Sequence, residues 1–268
     1  VPESFMLIEV TRRPDAAALD QVRRRLVEVL DDVAAAVTGW QAMRDEIDRA
    51  IADVESLPDA VLSEDLRSEH AAFLRWIRDD NFTFLGFQDC RFSEADGQGQ
   101  RRVEVLRTLG VMEGTGGDDG RERPRGLAGF TLHGDESFGD EPVTITKSRF
   151  RATVHRAVPM DYIGVKIYGP DGRVEGERLF LGLFTSAAYH SNPRAIPLIR
   201  RKVRGIIERA GFAPGSHDAK SLLNVLETYP RDELLQIGTD DLYETAIGIL
   251  KLQLRQRLRL FLRRDVFG

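Results

Sequence analysis

Lys147, Arg149, Arg151 and His155 recur at alternate positions of the run Val143 to Arg156, with Thr153 among them and Phe150, Ala152 and Val154 between them. An extended chain turns alternate side chains to opposite faces, so a strand here gathers four potential cations on one side. Such a face suits an anion, because guanidinium groups meet a carboxylate or phosphate with paired donors. The same pattern describes a solvated or interdomain face of a half-buried strand, balanced by nearby acids. These four residues form the candidate ligand-binding set.

Other groupings with chemical potential have plainer uses. Ser216-His217-Asp218 contains the three residue types of a hydrolytic triad, but sequence neighbours rarely converge in that way, and a serine ahead of an acidic first turn is a helix cap. Gly114-Thr115-Gly116-Gly117 lacks the preceding strand and following helix of a dinucleotide cradle, and no Gly-x-x-x-x-Gly-Lys phosphate loop occurs. His70, His133, His155, His190 and His217 show no paired metal-ligand spacing. The sequence therefore nominates no catalytic residue, no cofactor-binding residue and no metal ligand. Cys90, the single cysteine, excludes an intrachain disulfide and reads as a small buried hydrophobe on a strand in a reducing, cytoplasmic setting.

The elements that must position these residues are legible from periodicity. Phe5 to Val10 reads as a strand. From Asp15, apolar residues at Leu19, Val22, Leu26, Val29, Val33, Ala36, Trp40, Met43, Ile47, Ala50, Val54 and Leu57 step by three and four, which predicts helix. Unbroken, it spans about 60 Å and acts as a strut; broken at Thr38-Gly39, it becomes two packed helices. A second helix carries Leu62, Leu66, His70, Phe73 and Ile77 on one face. The period then changes to two in Phe82 to Phe92, Arg101 to Leu109, Val143 to Arg156, Asp161 to Tyr168 and Val174 to Ser186, predicting five antiparallel strands. Glu113 to Arg125, rich in Gly, Asp and Arg, reads as a surface loop. Gly169-Pro170-Asp171-Gly172 supplies a turn, and the last strand, apolar on both faces, belongs at the centre of the sheet. Stripes after Asn192-Pro193, after Ser216 and after Thr239 predict three further helices, and Leu258 to Arg264 alternates as a strand.

At 268 residues the chain suits one large or two modest domains. With 42% hydrophobic and 30% charged residues it is globular in composition, and charges interrupt every apolar run well before the roughly 20 residues of a membrane span. A net charge of −5 argues against nucleic acid as a partner. The start Val1-Pro2-Glu3-Ser4 has neither an initiator methionine nor signal-peptide character. A lone strand at either end cannot pair with itself, so the expectation is a piece of a longer polypeptide.

Four strings narrow this further: HRAVPMDYIGV at His155 to Val165, GERLFLGLFT at Gly176 to Thr185, GFAPGSHD at Gly211 to Asp218 and LETYPRDEL at Leu226 to Leu234. In them the chain resembles the large bacterial NAD-specific glutamate dehydrogenases. The resemblance covers most of the chain, more loosely before Leu66 and in the loop after Glu113. It implies an α+β fold: a PAS-like antiparallel sheet domain over 63–190, flanked by helices. Residues 1–62 would hold the end of an ACT-like module plus the long helix, and 191–268 a helical segment entering another ACT-like module. It implies a cytoplasmic, homo-oligomeric parent that converts glutamate to 2-oxoglutarate and ammonia with NAD, none of whose catalytic motifs maps onto this chain. The segment is then expected to be inactive alone, with no cofactor of its own. Its partners would be other domains and subunits of the enzyme, with an amino acid as a possible effector and neither nucleic acid nor membrane. Its role would be regulation and assembly, or purely architectural support of an oligomer.

Overall fold

In the computed structural model the described residues are 7, 9, 11, 12, 15–94, 96–97, 100–113, 131–133 and 141–253. The expected strand at Leu258 to Arg264, that at Phe5 to Val10 apart from Leu7 and Glu9, the ACT-like fragments built on them, and nearly all of the loop after Glu113 lie outside them. The elements run α1 (Ala16–Ser56), α2 (Glu64–Trp76), β1 (Phe82–Phe92), β2 (Gln100–Gly110), β3 (Thr131–His133), β4 (Val143–Arg151), β5 (Pro159–Tyr168), β6 (Val174–Phe184), α3 (Ser186–His190), α4 (Ile199–Ala210), α5 (His217–Thr228), α6 (Arg231–Gln236) and α7 (Thr239–Gln253).

Helix α1 is continuous over 41 residues, about 61 Å at 1.5 Å per residue. Asp15 caps it by accepting the Ala17 N–H at 2.9 Å, and Leu57, forced out of helical backbone by Pro58, ends it. Gly39 does not break the helix. It is where α1 crosses the end of β2, and a Cβ there would lie 3.0 Å from the Gly110 nitrogen. The expected apolar stripe splits into two stretches. Met43, Ile47, Ala50 and Val54 are buried against the sheet, whereas Leu19, Val22 and Leu26 are half exposed and so is Trp40. A 3.5-residue repeat drifts round a straight helix, so one helix of this length cannot keep the whole stripe on one surface.

The sheet orders its strands β3-β2-β1-β6-β5-β4, all neighbours antiparallel. β6 lies centrally, as its two apolar faces require, pairing Phe180 with Phe87 on one side and Ile163 on the other. The expected five strands are present, and the three-residue β3 adds an edge. β4 stops at Arg151 and not at Arg156, because residues 152–158 turn back on themselves: Ala152 N–H bonds Val158 O at 2.8 Å and His155 takes φ +67. One sheet face holds Phe84, Phe87, Phe180, Phe184, Ile163 and Val165, covered by α1, α2 and the helices after β6 in a single apolar cluster that reaches Leu250. The opposite face holds Leu85, Leu179, Leu181, Leu183 and Met160 beneath Val111, Met112, Ala152, Val154 and Ala36.

The carboxyl-terminal helices follow the expected stripes. Gly211 ends α4 in the left-handed conformation and Ser216 caps α5, its Oγ accepting from Ala219 N–H at 3.1 Å. Two short helices were not evident from periodicity: α3, which begins at Ser186, the last residue of an expected strand, and α6, a six-residue turn after Pro230 too short to show a repeat.

Candidate functional site

Several buried charged residues of the chain sit where helices meet the sheet. At the start of β5, Asp161 is 1% exposed, with Lys147 Nζ at 2.6 Å from its Oδ1 and the Phe184 N–H directed to its Oδ2 at 3.4 Å. The same ammonium lies 3.0 Å from Asp232 on α6, so one lysine ties β4, β5 and the helical end together. Burial pushes the Asp161 carboxyl above its usual range even against Lys147, whereas for Lys147 the two carboxylates outweigh burial and hold it protonated. The enclosed carboxylate is the better gauge of the junction: it is satisfied, at a desolvation cost. Alongside, Trp76, Phe184, Tyr189, Ile196, Arg231 and Asp232 line a small cleft. Arg156 stacks over the Tyr189 ring at 5.2 Å and donates to Phe184 O at 2.9 Å. Arg231 donates to the carbonyls of Ser191, Glu227 and Tyr229 at 2.7–3.1 Å.

A second junction joins α2 to α4. Glu69 accepts from the Leu198 N–H at 2.8 Å and from Arg200 through both carboxylate oxygens, the shortest contact 2.6 Å. Burial would raise its pKa, but Arg200 and the backbone donor bring it below the usual value. Leu198 takes φ +66 and ψ −49 at the entry to α4, a costly backbone for leucine that Glu69 holds in place. Lys202 donates to the carbonyls of Leu234, Leu235 and Ile237 at 2.9–3.1 Å, closing the end of α6. His70, buried on α2, meets Glu141 at 2.6 Å. The third junction joins α1 to the sheet: Glu46, 3% exposed, receives Arg49 at 2.7 Å and Arg107 at 2.5 Å, while Arg178 reaches Asp53 at 2.5 Å.

On the opposite sheet face, Glu177 is enclosed and accepts the Tyr162 hydroxyl at 3.0 Å. Burial lifts its carboxyl to about 7, with Tyr162 and Lys166 pulling the other way. Beside it Cys90 is fully buried, its thiol raised to about 12 chiefly by burial, which is a structural cysteine.

Of the candidate ligand-binding set, Lys147, Arg149 and Arg151 stand at alternate positions of β4, and His155 lies in the turn beyond its end. Lys147 is engaged by Asp161 and Asp232. Arg149 is exposed and lies over the Phe150 ring, Arg151 is exposed and donates to Ala157 O, and His155 projects from the turn. The residues that sequence reasoning passed over, Asp161, Glu69, Glu46 and Glu177, are acids. A signal existed for one of them: Glu177-Arg178 is a charged pair that directly precedes Leu179 to Phe184, the part of the strand that is apolar on both faces. Among the described residues no helix is long and apolar enough to cross a membrane, and no group of three His, Cys, Asp or Glu is placed to hold a metal.

Residues 196–255, which span α4 to α7, match the family model described as glutamate dehydrogenase, helical motif 1. Over 99% of its length the chain is 38% identical to the NAD-specific glutamate dehydrogenase of Halomonas elongata and 33% identical to that of Pseudomonas aeruginosa. Over 98% it is 31% identical to that of Mycobacterium tuberculosis. The chain is homologous to one segment of the large NAD-specific glutamate dehydrogenases. It spans only 15–16% of the length of these relatives. Asp232 of helical motif 1 thus meets the sheet through Lys147, and Arg200 meets α2 through Glu69, beside the apolar cluster that the motif shares with the sheet.

Proposed function

We propose that this chain is a non-catalytic regulatory and assembly segment of an NAD-specific glutamate dehydrogenase. The whole enzyme would convert glutamate to 2-oxoglutarate and ammonia with NAD in the cytoplasm, the cofactor being held elsewhere in the polypeptide. Within it the sheet domain is PAS-like and the chain ends lead into ACT-like modules. The observation that carries this reading is the bridging of helical motif 1 to the sheet through Lys147, which joins the buried Asp161 to Asp232, and to α2 through the Glu69–Arg200 pair. Buried ion pairs add little net stability over apolar packing but strongly disfavour arrangements that leave one partner alone. They therefore suit a joint that must hold one relative placement and pass on its loss.

An amino-acid effector is part of the proposal. With Lys147 committed to two carboxylates, Arg149 and Arg151 are the cations of the candidate set that would meet an effector carboxylate. Titration calorimetry and thermal shift with a panel of amino acids and nucleotides test the regulatory half. Saturable heat with a rise in Tm supports it, and its absence across the panel leaves an architectural scaffold, the reading favoured by the length of α1. Turnover of glutamate and NAD by the chain alone would contradict both.

A further inference from the structure

Leu198, which leads into α4, holds φ +66 with ψ −49. Aspartate and histidine visit positive φ at modest cost, as Asp80 and His155 do in this chain, but a bulky leucine rarely does. The negative ψ takes it further, out of the left-handed helical region and toward the rare, strained γ-turn near φ about +75 and ψ about −65. Such backbone persists only where its surroundings over-determine it. Two sets of contacts do so. Ile196 and Ile199, both sealed in the apolar core, fix the chain on either side of Pro197-Leu198, which leaves two residues in which to turn. Glu69 on α2 accepts the Leu198 N–H at 2.8 Å and takes the Arg200 guanidinium at 2.6–3.1 Å. The cap position itself makes no side-chain hydrogen bond, so the aim of this backbone rests on a carboxylate from another helix.

We propose that Leu198 is a spring-loaded hinge at the entry to helical motif 1, latched by Glu69. This rests on the regulatory reading above and deepens it, by naming the element whose two arrangements a regulator would bias. While the latch holds, the Leu198 N–H and the Arg200 guanidinium converge on one carboxylate. Once α4 is drawn off α2, Leu198 relaxes to negative φ, its N–H turns away from Glu69, and reclosing has to restore the strain. The joint therefore has two discrete arrangements in place of a graded bend. Its movement also has a path. Lys202, on the same helix, closes the end of α6 through the carbonyls of Leu234, Leu235 and Ile237, and Asp232 of α6 meets Lys147 of β4.

Two substitutions isolate the strain. Leu198→Ala and Leu198→Gly both remove the branched side chain, and only glycine removes the Cβ that positive φ crowds. At an ordinary position glycine is the less stable of the two. Here Leu198→Gly should be the more stable in urea unfolding, its unfolding constant about fivefold or more below that of Leu198→Ala. Hydrogen exchange reads the latch. The Arg200 N–H bonds to Ile196 O at 2.8 Å and the Lys202 N–H to Leu198 O at 3.2 Å, so both bonds depend on the hinge. Glu69→Ala should speed exchange of these amides about tenfold or more, and of the Ile237 N–H at the far end of the path. Adding Leu198→Gly should slow the Arg200 and Lys202 amides again about fivefold, whereas adding Leu198→Ala should not. A Leu198→Ala chain as stable as Leu198→Gly overturns the proposal, as does an Ile237 amide indifferent to Glu69→Ala, or no recovery by glycine over alanine. Effector calorimetry is a separate readout. Saturable heat alongside any of these failures removes the hinge and leaves regulation standing, whereas the full set of signatures without effector heat keeps the hinge and removes regulation.

Discussion

The Glu177→Gln substitution tests whether enclosure of a carboxyl governs the response of the fold to pH. Glu177 sits under the Tyr162 hydroxyl against Gly164, where an added Cβ would fall 1.7 Å from its Oε1, so the side chain has no room to swing toward water. Cys90 on β1 and Lys166 on β5 face it, and burial raises its carboxyl from 4.5 to about 7. The folded chain thus holds this proton more tightly than the unfolded one. The stability it contributes is complete below about pH 4.5 and is lost as pH rises toward 7. The gap between the two values corresponds to about 3 kcal/mol. Glutamine keeps the shape and an acceptor for Tyr162 but carries no charge. Urea unfolding of both proteins from pH 5 to 8 should show wild type losing about 2 to 3 kcal/mol relative to the variant, which becomes the more stable protein at pH 8. Parallel stability curves for the two proteins would refute the reasoning.

Glu69→Gln should cost about 1 to 3 kcal/mol, because Arg200 loses a charged bidentate partner and the Leu198 backbone its anchor; hydrogen exchange should quicken first in the opening turn of α4. Lys202→Met should cost about 1 to 3 kcal/mol by leaving the carbonyls of Leu234, Leu235 and Ile237 without their ammonium, measured by the urea midpoint. Gly110→Ala should destabilise by about 2 kcal/mol or more, since Gly110 has φ +65 and a Cβ would meet Leu85 O at 2.2 Å; a midpoint equal to wild type would contradict this.

Much of the architecture was legible from local pattern. The start of α1 at Asp15, the turn at Gly169 to Gly172 and the cap at Ser216 each rest on backbone preferences of one or two residues, which operate without tertiary context. Strand β6 announced its central place because apolar residues on both faces need cover on both sides. Where such signals stop, the reading stopped too: alternation continued past Arg151 in the sequence, but the backbone turned, and His155 never joined the face assigned to it.

The sequence by itself determined the alternation of helix and strand, because hydrophobic period and turn chemistry are local. It also determined the lone buried cysteine's character, since a thiol among strand residues of this composition packs as a hydrophobe. Tertiary structure alone decided that α1 runs unbroken through Gly39, because the glycine answers to Gly110 across the crossing and not to its own helix. It alone decided which acids matter. Asp161 and Lys147 are 14 residues apart, and Glu69 and Arg200 are 131 apart, and the cost of enclosing a charge depends on what the fold brings beside it, a quantity that no single stretch of chain contains.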